Sequence, residues 1–185
     1  MTSAASGVEP VIRRGTVADA AALAAFGTRV FRDAFGAHNT PENLSAYLET
    51  AFSDDIQREE LGDPAVDTWL VIADGMLAGY AQLRAGAAPA SVPQERSIEL
   101  RRFYIDRRWQ GRGLAQQLMQ RVDAAASLRG AQAIWLGVWE LNPRAIAFYR
   151  TCGFIDVGSQ VFVLGAERQT DRVMCRELAD SQRRG

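Results

Sequence analysis

Residues 107–118, RRWQGRGLAQQL, place Gly111 and Gly113 one residue apart among arginines, directly ahead of a helical pattern. A helix N-terminus carries unpaired backbone N–H groups and the positive end of the helix dipole, and glycines there let an anion come close to the backbone. Arg107, Arg108 and Arg112 add positive charge beside the turn. The spacing predicts a phosphate cradle, although a plain strand-to-helix connection would use the same residues. Two nucleotide-binding readings fail. A P-loop needs Lys and then Ser or Thr after its second glycine, where Leu114 and Ala115 stand. A dinucleotide fingerprint needs a third small residue where Gln116 stands, near the start of a chain with several βα units still to come.

The elements that must position this turn are legible from periodicity. VIRR at 11–14 reads as a strand, and Leu23, Phe26, Val30 and Phe31 mark a first helix. Thr40 and Pro41 open a second helix carrying Leu44, Tyr47, Leu48 and Phe52, with a further helical turn or two near 56–61. TWLVIA, ADG and MLAGYAQLR read as a β-hairpin, and 85–97 as a loop. In IELRRFYI the apolar parity is even at Ile98 and Leu100 and odd at Phe103 and Ile105, which predicts a bulge near Arg101 or Arg102. A helix over 113–128 with Leu114, Leu118, Met119, Val122 and Ala126 on one stripe follows, then an apolar strand over 133–139 with Trp135 in the core. Asn142 caps a short helix ended by Gly153, and stretches near 154–164 and 168–177 form a final antiparallel pair. The order predicts an α/β fold (α+β in some schemes): a mixed, mostly antiparallel sheet of about seven strands flanked by four to five helices. One domain over 10–180 with flexible termini at 1–9 and 181–185 is expected at this length.

A net charge of −1 gives no global pull toward nucleic acid or an anionic membrane. Two cysteines, Cys152 and Cys175, are too few for a disulfide framework, and one histidine, His38, leaves little scope for a zinc site. His38 reads as a loop residue without chemistry. MTSAASGVEP has no basic or apolar leader character, and no apolar run reaches membrane-spanning length. The expectation is a reduced, cytoplasmic protein with no metal, nucleic-acid or membrane partner.

Gln110, Gly111, Arg112, Gly113, Leu114 and Ala115 match Q/R-x-x-G-x-G/A, and NPRAIAFYRTCGF supplies Asn142, Ala145, Phe148, Tyr149, Gly153 and Phe154 in the right order behind it. On these two motifs the chain resembles the GCN5-related N-acetyltransferases over nearly its whole length. WLGVWELNPRAIAFY, GSQVFVLGAERQTD and FRDAFGAHNTPEN are similar to the PaiA-type polyamine N-acetyltransferases, with departures at Gln160, Ala166 and Glu167. The resemblance implies direct attack of a substrate amine on acetyl-CoA in a ternary complex. It gives the coenzyme to the 110–116 turn including Gln116, to the backbone of Phe103, Tyr104 and Ile105, and to Asn142, Ala145, Phe148 and Tyr149. A small polyamine is the implied acceptor, with a peptide N-terminus or an antibiotic amine second, and a non-catalytic acyl-CoA sensor as the reading from another class. Relatives are often homodimers.

An alkylammonium with pKa near 10.4 is only about one part in 2,500 neutral at pH 7, a handicap of roughly 4.6 kcal/mol, so a proton acceptor is needed. Many relatives place a Glu where Gly137 stands here. Glu99, on the bulged strand, and Glu140, just past the next strand, are the replacement candidates, each with a plain surface or substrate-binding role as its rival. Tyr149 stands at the family's position for a proton donor to the departing thiolate. Residues 101–121 hold six arginines and one acid, whereas 40–75 hold nine acids and one arginine. This asymmetry predicts an anionic coenzyme on one side and a cationic amine on the other, or an ordinary solvated helix face.

Overall fold

The computed structural model describes residues 9–179. Its elements run β1 (Val11–Arg14), α1 (Ala20–Phe35), α2 (Pro41–Phe52), α3 (Asp54–Gly62), β2 (Val66–Ala73), β3 (Met76–Arg84), β4 (Ser97–Ile105), α4 (Leu114–Leu128), β5 (Ala133–Trp139), α5 (Pro143–Thr151), β6 (Ile155–Leu164) and β7 (Glu167–Glu177). The strands form one sheet in the order β1-β2-β3-β4-β5-β7-β6. Only β4 and β5 pair in parallel, and a parallel pair needs a crossover, which α4 supplies. This is the mixed, mostly antiparallel architecture that the periodicity predicts. The terminal segments expected to be flexible lie, Glu9 aside, outside the described residues. Among the described residues no helix is long and apolar enough to cross a membrane.

Local chemistry explains the helix starts. The Thr40 hydroxyl accepts the Asn43 N–H at 3.3 Å ahead of Pro41. The turn expected near Ile56 is a full nine-residue helix, because Ser53 caps it through the Ile56 N–H and Asp54 and Asp55 lie at the positive end of its dipole.

The core lies under α4, whose stripe of Leu114, Leu118, Met119, Val122 and Ala126 is buried against Ile98 and Leu100 of β4 and Ile134, Leu136 and Val138 of β5. Each fully buried aliphatic side chain contributes roughly 1.5–3 kcal/mol relative to exposure. The predicted bulge is present: Gln82 pairs with Arg102 and Leu83 with Leu100, leaving Arg101 without a partner on β3. One extra residue lets Phe103 and Ile105 join the same core as Ile98 and Leu100, which is why the apolar parity switches in mid-strand. Trp135 packs on the opposite side of β5 with Val92, Val173 and Cys175.

The feature that makes room for a site is the short β4–β5 pairing. It runs from Ser97↔Ala133 to Glu99↔Trp135 and stops. Beyond it, residues 101–105 and 137–139 have no partner across the gap, and their facing backbone groups are available to something else.

Candidate active site

A cavity of about 640 Å³ runs from the glycine turn past the free side of β4 to α1 and Trp139. Of the residues singled out in the sequence, Phe103, Tyr104, Ile105, Gln110, Gly111, Gly113, Ala115, Gln116, Asn142, Ala145, Phe148 and Tyr149 line it. Arg112, Leu114, Glu99 and Glu140 do not. Arg112 is exposed with its guanidinium 4.8 Å above the Trp109 ring, and the Leu114 side chain belongs to the core.

At the turn, Gly111 and Gly113 take φ values of +76° and +77°, the left-handed region that favours glycine. Gly113 is the N-cap of α4, and no side chain caps that helix. A Cβ built on either glycine meets nothing within 4 Å. Packing therefore does not exclude a side chain here, and the first turn of α4 borders the cavity at Gly113, Ala115 and Gln116. The turn is held from behind. The Gln110 side chain donates to the Ile105 carbonyl at 2.9 Å and accepts from Arg144. Asp106 accepts the Arg108 N–H at 2.9 Å and pairs with Arg29 at 2.7 Å. Burial opposes its charge, but the Arg108 N–H and the Arg29 guanidinium outweigh that and hold the carboxyl below its ordinary value.

The bulged strand is clamped from its other face. Glu60 of α3 pairs with Arg101 at 2.9 Å and with the buried Arg102, accepts from Gln82, and Arg102 also donates to the Ala51 carbonyl at 2.8 Å. This corrects the two-sided charge expectation. Arg101 and Arg102 point into this internal network, Asp67 is paired with Arg14 and Arg129, and no acid of residues 40–75 lines the cavity.

Around the gap the walls are aromatic. Phe103 stacks on Phe148 with centroids 5.6 Å apart, and Tyr149 meets Phe103 and Phe154 edge-on at 6.3 and 5.7 Å. Burial, with a smaller effect from Cys152, pushes the Tyr149 phenol well above its ordinary value, so it is protonated at neutral pH. Tyr104 faces the other way, toward Tyr80 and Phe52, and burial raises it too.

The far end contains residues that the sequence reading did not assign. His38, expected in an idle loop, lines the cavity, with its ring 5.2 Å from that of Trp139, and Phe35 lies 5.7 Å from Trp139 on another side. Glu140 is exposed at the end of β5. Glu99 is half-buried on the face away from α4; burial raises its pKa, while Arg101 and Arg84 oppose the rise. Gly137 faces the Asp171 carboxylate of β7: a Cβ there would stand 3.0 Å from Asp171 Oδ2 and 2.7 Å from Gln160 Nε2. Asp171 is 8% exposed and is pushed up to about 6 by burial and by the charge of Glu140. The sequence did carry a signal for it. Asp171 shares the parity of Val173 and Cys175, so an acid stands in the buried register of an alternating strand.

The sequence model described as the acetyltransferase (GNAT) family matches residues 31–154. An uncharacterized N-acetyltransferase of Mycobacterium tuberculosis is 36% identical over 86% of this chain and 98% of its own length. Another, encoded in the pepI 3′ region of Lactobacillus delbrueckii subsp. lactis, is 32% identical over 83% of this chain and 89% of its own. The crystal structure of the PaiA N-acetyltransferase from Thermoplasma acidophilum in complex with coenzyme A superposes with a TM-score of 0.72 at 16% identity, covering 92% of this chain and 99% of that one. That likeness is one of fold. With its glycine turn, split strands and aromatic gap, the chain belongs to the acetyltransferase (GNAT) family and is an acyltransferase enzyme.

Proposed function

We propose that the protein transfers an acetyl group from acetyl-CoA to a primary amine, with small cationic amines such as polyamines as the acceptor class. The observation that carries this reading is the continuity of the cavity. One space joins an uncapped helix N-terminus built on two left-handed glycines to the unpaired edge of β4 and to Tyr149. A long ligand with an anionic end and a slender arm fits that shape, and the coenzyme of a relative's structure, named above, has both.

The chain's own residues divide the work. The N–H groups at 114–116 receive the pyrophosphate, with Arg107 and Arg144 beside them. The backbone of Phe103, Tyr104 and Ile105, left without a strand partner beyond Glu99, pairs with the amides of the arm and polarises the acetyl carbonyl. When bound, the coenzyme supplies an activated acetyl thioester. Tyr149, kept protonated by burial, donates to the sulfur as negative charge develops there. Phe103, Phe148 and Tyr149 together keep water from the gap. Trp139 and His38 offer aromatic surface to a cation, with Phe35 supporting Trp139, and Glu140 adds negative charge at that end. Glu99 sits in the closed part of the sheet, in the last β4–β5 pair, and is opposed by Arg101 and Arg84, so we assign it to the sheet rather than to the proton transfer. Residues 10–180 act on this reading as one domain.

The test is thiol release from acetyl-CoA with a panel of spermidine, spermine, an alanine-ended peptide, an aminoglycoside and aspartate. Release with the polyamines above the blank is expected, and no release with any amine overturns the reading. Release confined to the peptide, aminoglycoside or aspartate replaces the acceptor class. Tight coenzyme binding by calorimetry without turnover on any amine marks a sensor instead. The background is clean, because all 21 basic residues are arginine and the chain offers no lysine to acetylate.

A further inference from the structure

Four carboxylates of the described residues are buried, and three of them have cationic partners. Glu60 has Arg101 and Arg102, Asp67 has Arg14 and Arg129, and Asp106 has Arg29 and Arg108. Asp171 is the fourth, and no arginine of the described residues pairs with it. A buried carboxylate without a cation costs stability, and a fold that has paired its other three has a reason for leaving one open.

Its place supplies the reason. Asp171 does not itself line the cavity but stands directly behind its wall: it is the register partner of Trp139, which does line it, and both side chains lie on the sheet face away from α4. Its carboxylate lies over Gly137, the first β5 position of that face beyond the last β4–β5 pair. A side chain at 137 would press first on the Gln160 amide and then on the Asp171 carboxylate. Asp171 keeps 8% of its surface exposed, and Gly137, over which its carboxylate lies, is itself exposed. Gln160 of β6 shares with it the space over Gly137, and the charge of Glu140 acts on it; Tyr47 of α2 feels both Asp171 and the Arg101–Arg102 pair, but those arginines are bound to Glu60.

We propose that the cation missing beside Asp171 is the ammonium of the acceptor, and that Asp171 takes its proton before attack. This rests on the amine acetyltransferase reading above. In the step, one N–H bond of the ammonium breaks, one O–H bond forms on Asp171, and the nitrogen keeps the electron pair. The proton then leaves to water past the exposed Gly137. With the free carboxyl at about 6, Asp171 is mostly ionised at pH 7 and closer to the amine in basicity than an ordinary aspartate. Glu140, which forms no ion pair among the described residues, holds a polyamine's second charge.

The test compares wild type with Asp171→Asn, using spermidine and acetyl-CoA across pH 5–9. The variant is expected to bind acetyl-CoA within twofold of wild type by calorimetry and to melt no lower. Its kcat should fall about 10²-fold or more, and the acid limb of kcat/KM near pH 6 should vanish. Asp171→Glu should recover part of the rate, and the limb should persist in His38→Gln. Asp171→Asn turning over within threefold of wild type with its acid limb intact overturns the proposal, as does a limb that disappears in His38→Gln alone. Absence of wild-type turnover on every amine would be a failure of the parent reading, and carboxyl NMR still decides this one. The Asp171 titration midpoint should fall when spermidine is added, and a midpoint that moves with no amine of the panel overturns Asp171 as the amine's partner.

Discussion

Glu60 and Asp171 are both buried carboxylates on the side of the sheet away from α4, and the molecule treats them in opposite ways. Glu60 is surrounded: two arginines and a glutamine converge on it, and the cluster ties α3 to the bulge in β4. Asp171 has a glycine beneath it, an acid nearby and no cation among the described residues. The difference teaches how to separate framework from site. A buried charge whose partners are all supplied by the chain holds the fold, and one whose partner is absent is, on the proposal above, where a ligand's cation belongs.

The sharpest way to break this comparison is to remove each carboxylate and measure stability. Glu60→Ala leaves Arg102 buried without its partner and should cost about 3–5 kcal/mol in urea unfolding. Asp171→Asn should cost nothing or stabilise, since it removes an uncompensated charge. Equal losses would erase the distinction. Next in size, Tyr149→Phe should lower kcat about 10²-fold with coenzyme affinity nearly unchanged, as steady-state kinetics and calorimetry would show. A matching loss of affinity would make Tyr149 a packing residue of the Phe103–Phe148 cluster.

A third effect appears as a function of pH. The native pKa of Asp171, about 6, lies above its unfolded value near 3.9, so its contribution favours the fold below about pH 4 and is lost as pH rises through 6. Chemical unfolding of wild type and Asp171→Asn should therefore converge at low pH, with the variant gaining on wild type between pH 4 and 7. A flat difference would mean that Asp171 has a cation partner after all. The smallest effect belongs to the cradle: Gly113→Ala should lose only about 1 kcal/mol of stability from its left-handed backbone, because its Cβ touches nothing in the free protein. Its coenzyme affinity should fall tenfold or more.

The half of the cavity we propose for the coenzyme was legible because it is local. Gly111, Gly113 and the start of α4 are contiguous, and Asn142 to Tyr149 span two helical turns, so spacing alone carries the pattern. The bulge was legible through the parity switch between Leu100 and Phe103. The grouping we propose for the acceptor was not, although the parity of β7 marked Asp171 as a buried acid. His38, Trp139 and Asp171 come from three separate stretches, and only the sheet order β5-β7-β6, with its antiparallel register, sets Asp171 beside Trp139 and over Gly137. The charge asymmetry misled for a related reason. Composition counts arginines and acids but cannot say which are paired with one another, and Glu60 with Arg101 and Arg102 removes three of them from any role in the cavity.

The most direct measurement is a crystal structure of the protein with acetyl-CoA bound. The account predicts the pyrophosphate on the N–H groups of residues 114–116. It also predicts the arm along the free edge of Phe103–Ile105, and the thioester in the β4–β5 gap between Tyr149 and the Gly137–Asp171 pair. A coenzyme seated elsewhere, or a thioester on the far side of the sheet from Asp171, would contradict it.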